Sequence, residues 1–251
     1  EDRGPDIFLI HNDWTGKYLS KIQPMPKTVK MGYSIVSGGI KKEQTWELRP
    51  ENLISLKDYK NQYADVVLRD TLRFANISPD GAKPDIQQRP MGIPVSVDTL
   101  ALYYNKDLLN AVGIASPPEY WTEFQTQVEK IVKLDAENNI LQAAVGLGTS
   151  NNVERAVDVL SVLMMQNGAR MADENGAPTF HAMPRELEGS REEPPAYSAL
   201  TFYTDFANQA KQTYTWNAQQ PNSLEAFLQG KTAFFFGYAY YQPLIKARAP
   251  R

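Results

Sequence analysis

Residues Gly92 to Pro118, GIPVSVDTLALYYNKDLLNAVGIASPP, constrain this chain more than any other stretch. Val95, Val97, Leu100, Leu102 and Tyr104 are strand-forming, and a near-continuous apolar run of this kind suits a buried strand. Asn105 to Asp107 supplies turn and cap residues. Lys106 to Val112 has room for about two helical turns. Gly113 is a suitable helix stop, and Pro117-Pro118 forbids continuation. One carboxylate, Asp98, sits inside the apolar run. Such a group is costly unless it is paired or faces a cleft, and the expectation is that it faces a cleft.

The bulk numbers narrow the function classes. The chain has 251 residues, 42% hydrophobic and 22% charged, which fits one large or two small globular domains. A net charge of −3 argues against a general nucleic-acid or anionic-membrane surface. There are no cysteines, so disulfides, thiolate zinc sites and cysteine nucleophiles are excluded. No run reaches the roughly 18 apolar residues of a membrane span. The opening EDRGPDIFLI reads like the middle of a domain, which suggests processing or truncation.

Along the chain, Ile7 to Ile10 reads as a short strand, followed by His11, Asn12, Asp13 and Trp14. Ligands in α/β sheets gather beyond the carboxyl ends of strands, but a solvated helix cap explains the same residues. Ser37-Gly38-Gly39 is a turn signal. One helix is expected from about Ser55 to Ala75, then a polar loop from Asn76 to Arg89. After Pro118 the pattern is strongly α/β. A helix is expected over Tyr120 to Glu137, capped at Thr122, with Phe124, Val128, Ile131, Val132 and Asp135 inward. A strand follows over Ala143 to Leu147, then a helix over Asn152 to Gln166 with Val153, Val157, Leu160, Leu163 and Met164 inward, stopped at Asn167-Gly168. Asn175-Gly176 reads as a hairpin turn. Pro194-Pro195 opens a helix through about Gln212, with Leu200, Tyr203, Phe206 and Ala207 on one face. Asn222 with Glu225 caps a further helix, and Thr232 to Phe236 is a strand with Gly237-Tyr238-Ala239-Tyr240-Tyr241 just beyond.

Several chemistries fall away. Gly146-Leu147-Gly148 lacks the third glycine and the acidic partner of a dinucleotide fingerprint. There is neither a P-loop nor a Gly-x-Ser-x-Gly elbow. His11 and His181 do not suffice for a metal site. Glycosidase chemistry needs two carboxylates flanking one bond. Asp13 and Asp98 keep that reading open.

Four stretches, in order, resemble one family. Gly4-Pro5-Asp6-Ile7 leading to Asp13-Trp14 is the first. Ile93-Pro94-Val95 through Leu102-Tyr103-Tyr104-Asn105-Lys106-Asp107-Leu108, with Gly113-Ile114 and Trp121-Thr122-Glu123-Phe124 after it, is the second. Ala199-Leu200-x-Phe202-Tyr203-x-Asp205-Phe206-Ala207 and Phe227-x-x-Gly230-Lys231-Thr232-Ala233 complete the order. The chain is similar to the extracellular solute-binding proteins of ABC importers, in the carbohydrate-binding branch typified by maltose-binding protein. Two departures stand out. Tyr120 replaces a usual threonine, and Ile10 replaces an aromatic residue, which counts against maltodextrin as the ligand.

The resemblance implies an α/β, two-lobed periplasmic-binding-protein-like fold with hinge crossover strands, lacking the family's N- and C-terminal parts. Residues 1–98 would be part of the first lobe and 99–245 the second lobe, with a return crossover beginning over 246–251. It implies a substrate-binding protein that captures a sugar or oligosaccharide between the lobes, with polyols, sugar phosphates or polyamines as other solutes. The binding set it implies is Asp13, Trp14, Asp98, Asn151, Asn152, Tyr238 and Tyr240. Tyr240 takes the place of a stacking tryptophan, and Tyr238 takes it under a two-residue shift. It implies no catalytic residue, no metal and no cofactor. Partners would be a small carbohydrate and the membrane permease subunits of an ABC importer, with no nucleic acid, and the protein would be monomeric. Localisation would be periplasmic or extracellular, or lipid-anchored at the cell surface. The set suits a sugar chemically: aromatic rings cover the C–H faces, while carboxylates and amides bind the hydroxyl rim. The alternative is a carbohydrate-active enzyme using Asp13 and Asp98.

Overall fold

The computed structural model describes residues 4–38, 42–78, 82–173, 176–190 and 192–249; at Asp13 it describes the backbone only. The chain separates into two compact units, residues 1–97 and 98–251.

The first unit opens with a 3-10 turn at Asn12–Trp14 running into α1 (Thr15–Tyr18). The strand expected at Ile7 to Ile10 does not form; Ile7 is 90% exposed. β1 (Thr28–Ser37) and β2 (Glu43–Asn52) then make a ten-residue antiparallel hairpin, with Ser34 opposite Trp46 and Gly32 opposite Leu48. The turn expected at Ser37-Gly38-Gly39 lies partly outside the described residues. Instead of one helix over 55–75, two short ones form, α2 (Leu56–Gln62) and α3 (Asp65–Thr71). Tyr63 and Ala64 break them by taking extended backbone. The Ser55 hydroxyl accepts from the Asp58 N–H and so caps α2. Leu72–Asn76 is β3, not helix, and it pairs with β4 (Ile86–Pro90) where a loop was expected. Tyr59, fully buried, ties the unit together: its hydroxyl lies 2.8 Å from Thr71 Oγ1 and 3.1 Å from the Gly92 carbonyl and shares its one proton between them.

The second unit contains a four-stranded sheet in the order β5-β8-β7-β6. β5 is Leu100–Tyr104, shorter than the apolar run suggests; Val95 and Val97 are 78% and 60% exposed. Asn105 caps α4 (Lys106–Asn110), accepting from the N–H groups of Asp107 and Leu108. α5 (Trp121–Ile131) starts one residue before the expected Thr122 cap and ends early. Asp135 therefore does not face the core: it holds the turn between β6 (Lys133–Leu134) and β7 (Ile140–Val145), accepting from Glu137 and Asn139. α6 (Ala156–Gln166) begins four residues later than expected and leaves Val157 74% exposed. Gly168 closes it at φ +101°, the left-handed stop foreseen for Asn167-Gly168. The Asn175-Gly176 turn is described only in part, between bridge partners Ala172 and Pro178.

α7 (Pro195–Asp205), α8 (Ser223–Leu228), β8 (Thr232–Tyr238) and α9 (Gln242–Arg248) complete the unit. Leu200 of α7 is 44% exposed, not inward, while Tyr203 and Phe206 are buried. Residues 246–248, the expected beginning of a return crossover, form the last turn of α9. Phe124 is the hub of the core, with Phe206, Phe234, Phe236 and Trp121 rings all within 5.8 Å of its own. Such aromatic packing adds about 0.5–1.5 kcal/mol per pair beyond area burial.

Candidate functional site

The site candidate forms where three segments of the second unit meet at one sheet edge. β7 and β8 run parallel, so both carboxyl ends point to the same edge. β5 is antiparallel to β8 and starts there, with Leu100 opposite Tyr238. The residues before β5, after β7 and after β8 therefore converge, at the edge where open α/β sheets bind ligands.

Asp98 supplies the first contact. Its Oδ1 accepts from the Thr99 and Ala239 N–H groups at 2.7 and 3.0 Å, and its Oδ2 accepts from the Tyr240 N–H at 3.0 Å. Ala239–Tyr241 is a 3-10 turn whose own N-cap residue, Tyr238, makes no capping hydrogen bond with its side chain. Asp98 supplies that cap from the segment just before β5, bonding donors at the start of the turn. The side chain is exposed, so the expectation of a carboxylate inside a buried run is corrected. The apolar run joins no strand until Leu100, and Val95 and Val97 face solvent.

The segment after β7 is locked by Gly148, at φ +94°, where a Cβ would lie 2.6 Å from the Ala207 backbone nitrogen. This close approach leads the chain to Asn151 and Asn152. Asn151 is exposed. Asn152 is buried, and its amide is fully used: Oδ1 accepts from Thr149 Oγ1 and Trp216 Nε1, and Nδ2 donates to the Asn217 and Gln220 carbonyls. Its bonding is that of a scaffold residue, which counts against a place for it in the expected binding set. A buried amide with four partners has nothing left for a solute.

Glu154, Arg155 and Asp158 then face the end of β8. Arg155 adopts the left-handed conformation at φ +58°, uncommon for a residue with a side chain. Its Nη2 donates to the Tyr240 hydroxyl at 2.9 Å, and its guanidinium lies 5.1 Å from the Tyr238 ring centre and 6.0 Å from that of Tyr240. Nε is 3.7 Å from Glu154 Oε1, an ion pair too long to be a hydrogen bond. The bond to Tyr240 holds the guanidinium even more firmly charged than usual. Tyr238 and Tyr240 are near parallel, 14° apart with centroids at 6.1 Å. Tyr238 donates to Asp158 Oδ2 at 3.1 Å, and Tyr241 donates to Glu154 Oε1 at 2.7 Å. Burial, then Asp158, raises the Tyr238 phenol; burial, then Tyr240 and Glu154, raises Tyr241. The Tyr238 and Tyr241 phenols, both raised, stay neutral hydrogen-bonding groups over the physiological range, and with Tyr240 they present an aromatic ledge beside a guanidinium and carboxylates.

Tyr238, Tyr240 and Asp98 of the expected set are thus brought together, with Asn151 on the loop that leads to the cluster. Trp14 belongs to the first unit, 45% exposed, with the His11 and Tyr18 rings and Lys17 Nζ around it. The Asp13 side chain lies outside the described residues. Glu154, Asp158 and Tyr241 were not singled out from sequence. Their four-residue spacing within the helix expected over Asn152 to Gln166 was the available signal for Glu154 and Asp158.

The second unit thus gathers stacked tyrosines, a guanidinium and carboxylates at one sheet edge. The chain belongs to the bacterial extracellular solute-binding proteins, whose sequence profile matches residues 1–249. Among curated proteins, binding proteins of Brucella abortus (strain 2308) and Brucella suis biovar 1 (strain 1330) are each 43% identical over 47 residues, 19% of this chain and 11% of theirs. Among solved structures, an ABC transporter solute binding protein from Thermotoga lettingae TMO, bound with alpha-D-tagatose, gives a TM-score of 0.47 at 23% identity. That match covers 61% of this chain and 36% of that one. The ABC substrate-binding protein Lmo0181 from Listeria monocytogenes, in complex with cycloalternan, gives 0.44 at 16% identity, covering 61% and 35%. The matched length is thus about a third of the solved chains and a ninth of the curated ones.

Proposed function

We propose that this protein captures a sugar or oligosaccharide in a cleft between two lobes and delivers it to the permease subunits of an ABC importer. The observation that carries the reading is the Tyr238–Tyr240 ledge with Arg155, Asp158 and Asp98 around it, in a chain of the solute-binding family. Half-exposed Tyr240 offers a ring face to a pyranose. Arg155 and the carboxylates offer donors and acceptors to hydroxyls. Asn151 and Trp14 complete the proposed contacts, with Asp13 from the first lobe. Residues 1–98 would belong to the first lobe and 99–245 to the second. The extended segment before Leu100 would be the crossover about which the lobes close, and closure would be favoured by contacts made only around bound solute. The protein would act as a monomer in the periplasm or at the cell exterior, without a cofactor.

Catalysis by Asp98 is disfavoured because both of its oxygens already accept backbone N–H groups. A thermal-shift screen of the full chain against mono- and oligosaccharides tests the reading. A saturable rise with one sugar class, without hydrolysis products, is expected. Hydrolysis of the bound sugar, abolished by Asp98→Asn, would replace it with the glycosidase reading.

A further inference from the structure

Arg89 on β4 is a buried cation without a counter-charge. It is 9% exposed, its Nη2 makes only a long 3.4 Å contact to Gln87 Oε1, and its Nε has no hydrogen-bond partner. No carboxylate among the described residues forms an ion pair with it. Asp85, on the same face of the strand, is engaged by Gln87, whose Nε2 donates to Asp85 Oδ2 at 2.9 Å. Directly across the hairpin stands a second cation, Arg73. Opposed residues of an antiparallel pair project to the same face, and like charges there repel. Arg73 is only partly satisfied: its Nη1 donates to the Arg69 and Leu72 carbonyls at the end of α3.

A buried charge that lacks a partner is costly, and a second arginine at the opposed register position adds like charge to the same face. We propose that Arg89 and Arg73 together form a binding site for a phosphate group, free or carried on a solute. A phosphate brings between one and two negative charges near neutrality and enough acceptor oxygens to meet two planar donor forks. A single carboxylate would neutralise one arginine and leave the other. The site lies within the first unit and uses none of the residues of the Tyr238–Tyr240 cluster, so it stands apart from the sugar reading.

The test is thermal unfolding of the full chain in sodium phosphate against sodium chloride of equal ionic strength. At hundredfold excess over Kd the midpoint should rise by roughly 5–10 °C in phosphate alone. Arg89→Met, which keeps the apolar stem, should match or exceed the wild type in chloride and lose the phosphate response. Should Arg89→Met not fold, Arg89→Lys keeps the charge without the fork and should lose most of the response. Glucose 6-phosphate in parallel identifies the source: a rise with both compounds means the bare group suffices, and a rise with the sugar phosphate alone that Arg89→Met abolishes means a solute-borne group. No phosphate-specific rise with either compound, or an equal rise in the Arg89 variant, overturns the proposal. Tyr240→Ala should leave the phosphate response intact, which separates its outcome from that of the sugar reading.

Discussion

The Asp98 carboxylate accepts the backbone N–H of Tyr240 across 142 residues of sequence, at 3.0 Å. With the parallel bond to the Ala239 N–H, it sets where the 3-10 turn begins and therefore where the Tyr240 ring is presented. Asp98→Ala should cost about 1–3 kcal/mol of stability, the penalty for unpaired donors. It should also weaken sugar binding about tenfold or more, by loosening the ledge. Asp98→Asn keeps one acceptor oxygen and should fall between the two. Chemical denaturation and calorimetry on the same samples check both effects.

Arg155 should behave as a positioning residue. Arg155→Lys keeps the charge but loses the planar fork that bonds the Tyr240 hydroxyl while lying over Tyr238. Sugar affinity should fall by about 1–2 kcal/mol with little change in unfolding midpoint, since the pair is half exposed. A Lys variant with wild-type affinity would show that the guanidinium does not order the ledge.

Gly148→Ala should destabilise by about 1–3 kcal/mol, because its φ of +94° excludes a side chain and the new Cβ would meet the Ala207 backbone. Asn152→Ala should cost a similar amount through the stranded Trp216 indole N–H and two carbonyls. Urea unfolding curves measure both.

Two carboxylates give the acid limb a definite sign. Bonds from Asn139 lower the Asp135 pKa, and Arg248 lowers that of Glu225. A carboxylate held lower in the folded state adds stability that is complete above its ordinary pKa and is lost as pH falls through the lower folded value. The melting midpoint should therefore drop from about pH 4 downwards, and Asp135→Asn with Glu225→Gln should flatten that drop. An unchanged acid limb in the double variant contradicts the assignment.

The second unit was the legible half of the chain. Its helices carry apolar residues at three- and four-residue spacing against a Phe-rich strand, so α5, α6, α7, α8 and β8 follow from pattern, with errors at their ends. Val157 was misplaced because the chain spends Val153 to Arg155 in a turn before α6 starts. The first unit was poorly legible. β1 and β2 expose both apolar and charged residues, Trp46 and Leu48 among them, so alternation does not mark a face. Tyr238 and Tyr240 were singled out by the resemblance and by lying at the end of a strand; Tyr238 closes β8 itself. The partnership of Asp98 with two distant amides has no local sequence signature, and neither does the saturation of Asn152 by Trp216 and two carbonyls.

The most direct measurement is isothermal calorimetry of the full chain with mono- and oligosaccharides, wild type beside Tyr240→Ala. The account predicts saturable binding of one sugar class to the wild type, weakened by about 1–3 kcal/mol in Tyr240→Ala without loss of fold. Equal affinity in the two proteins, or no binding of any sugar to the wild type, would contradict it.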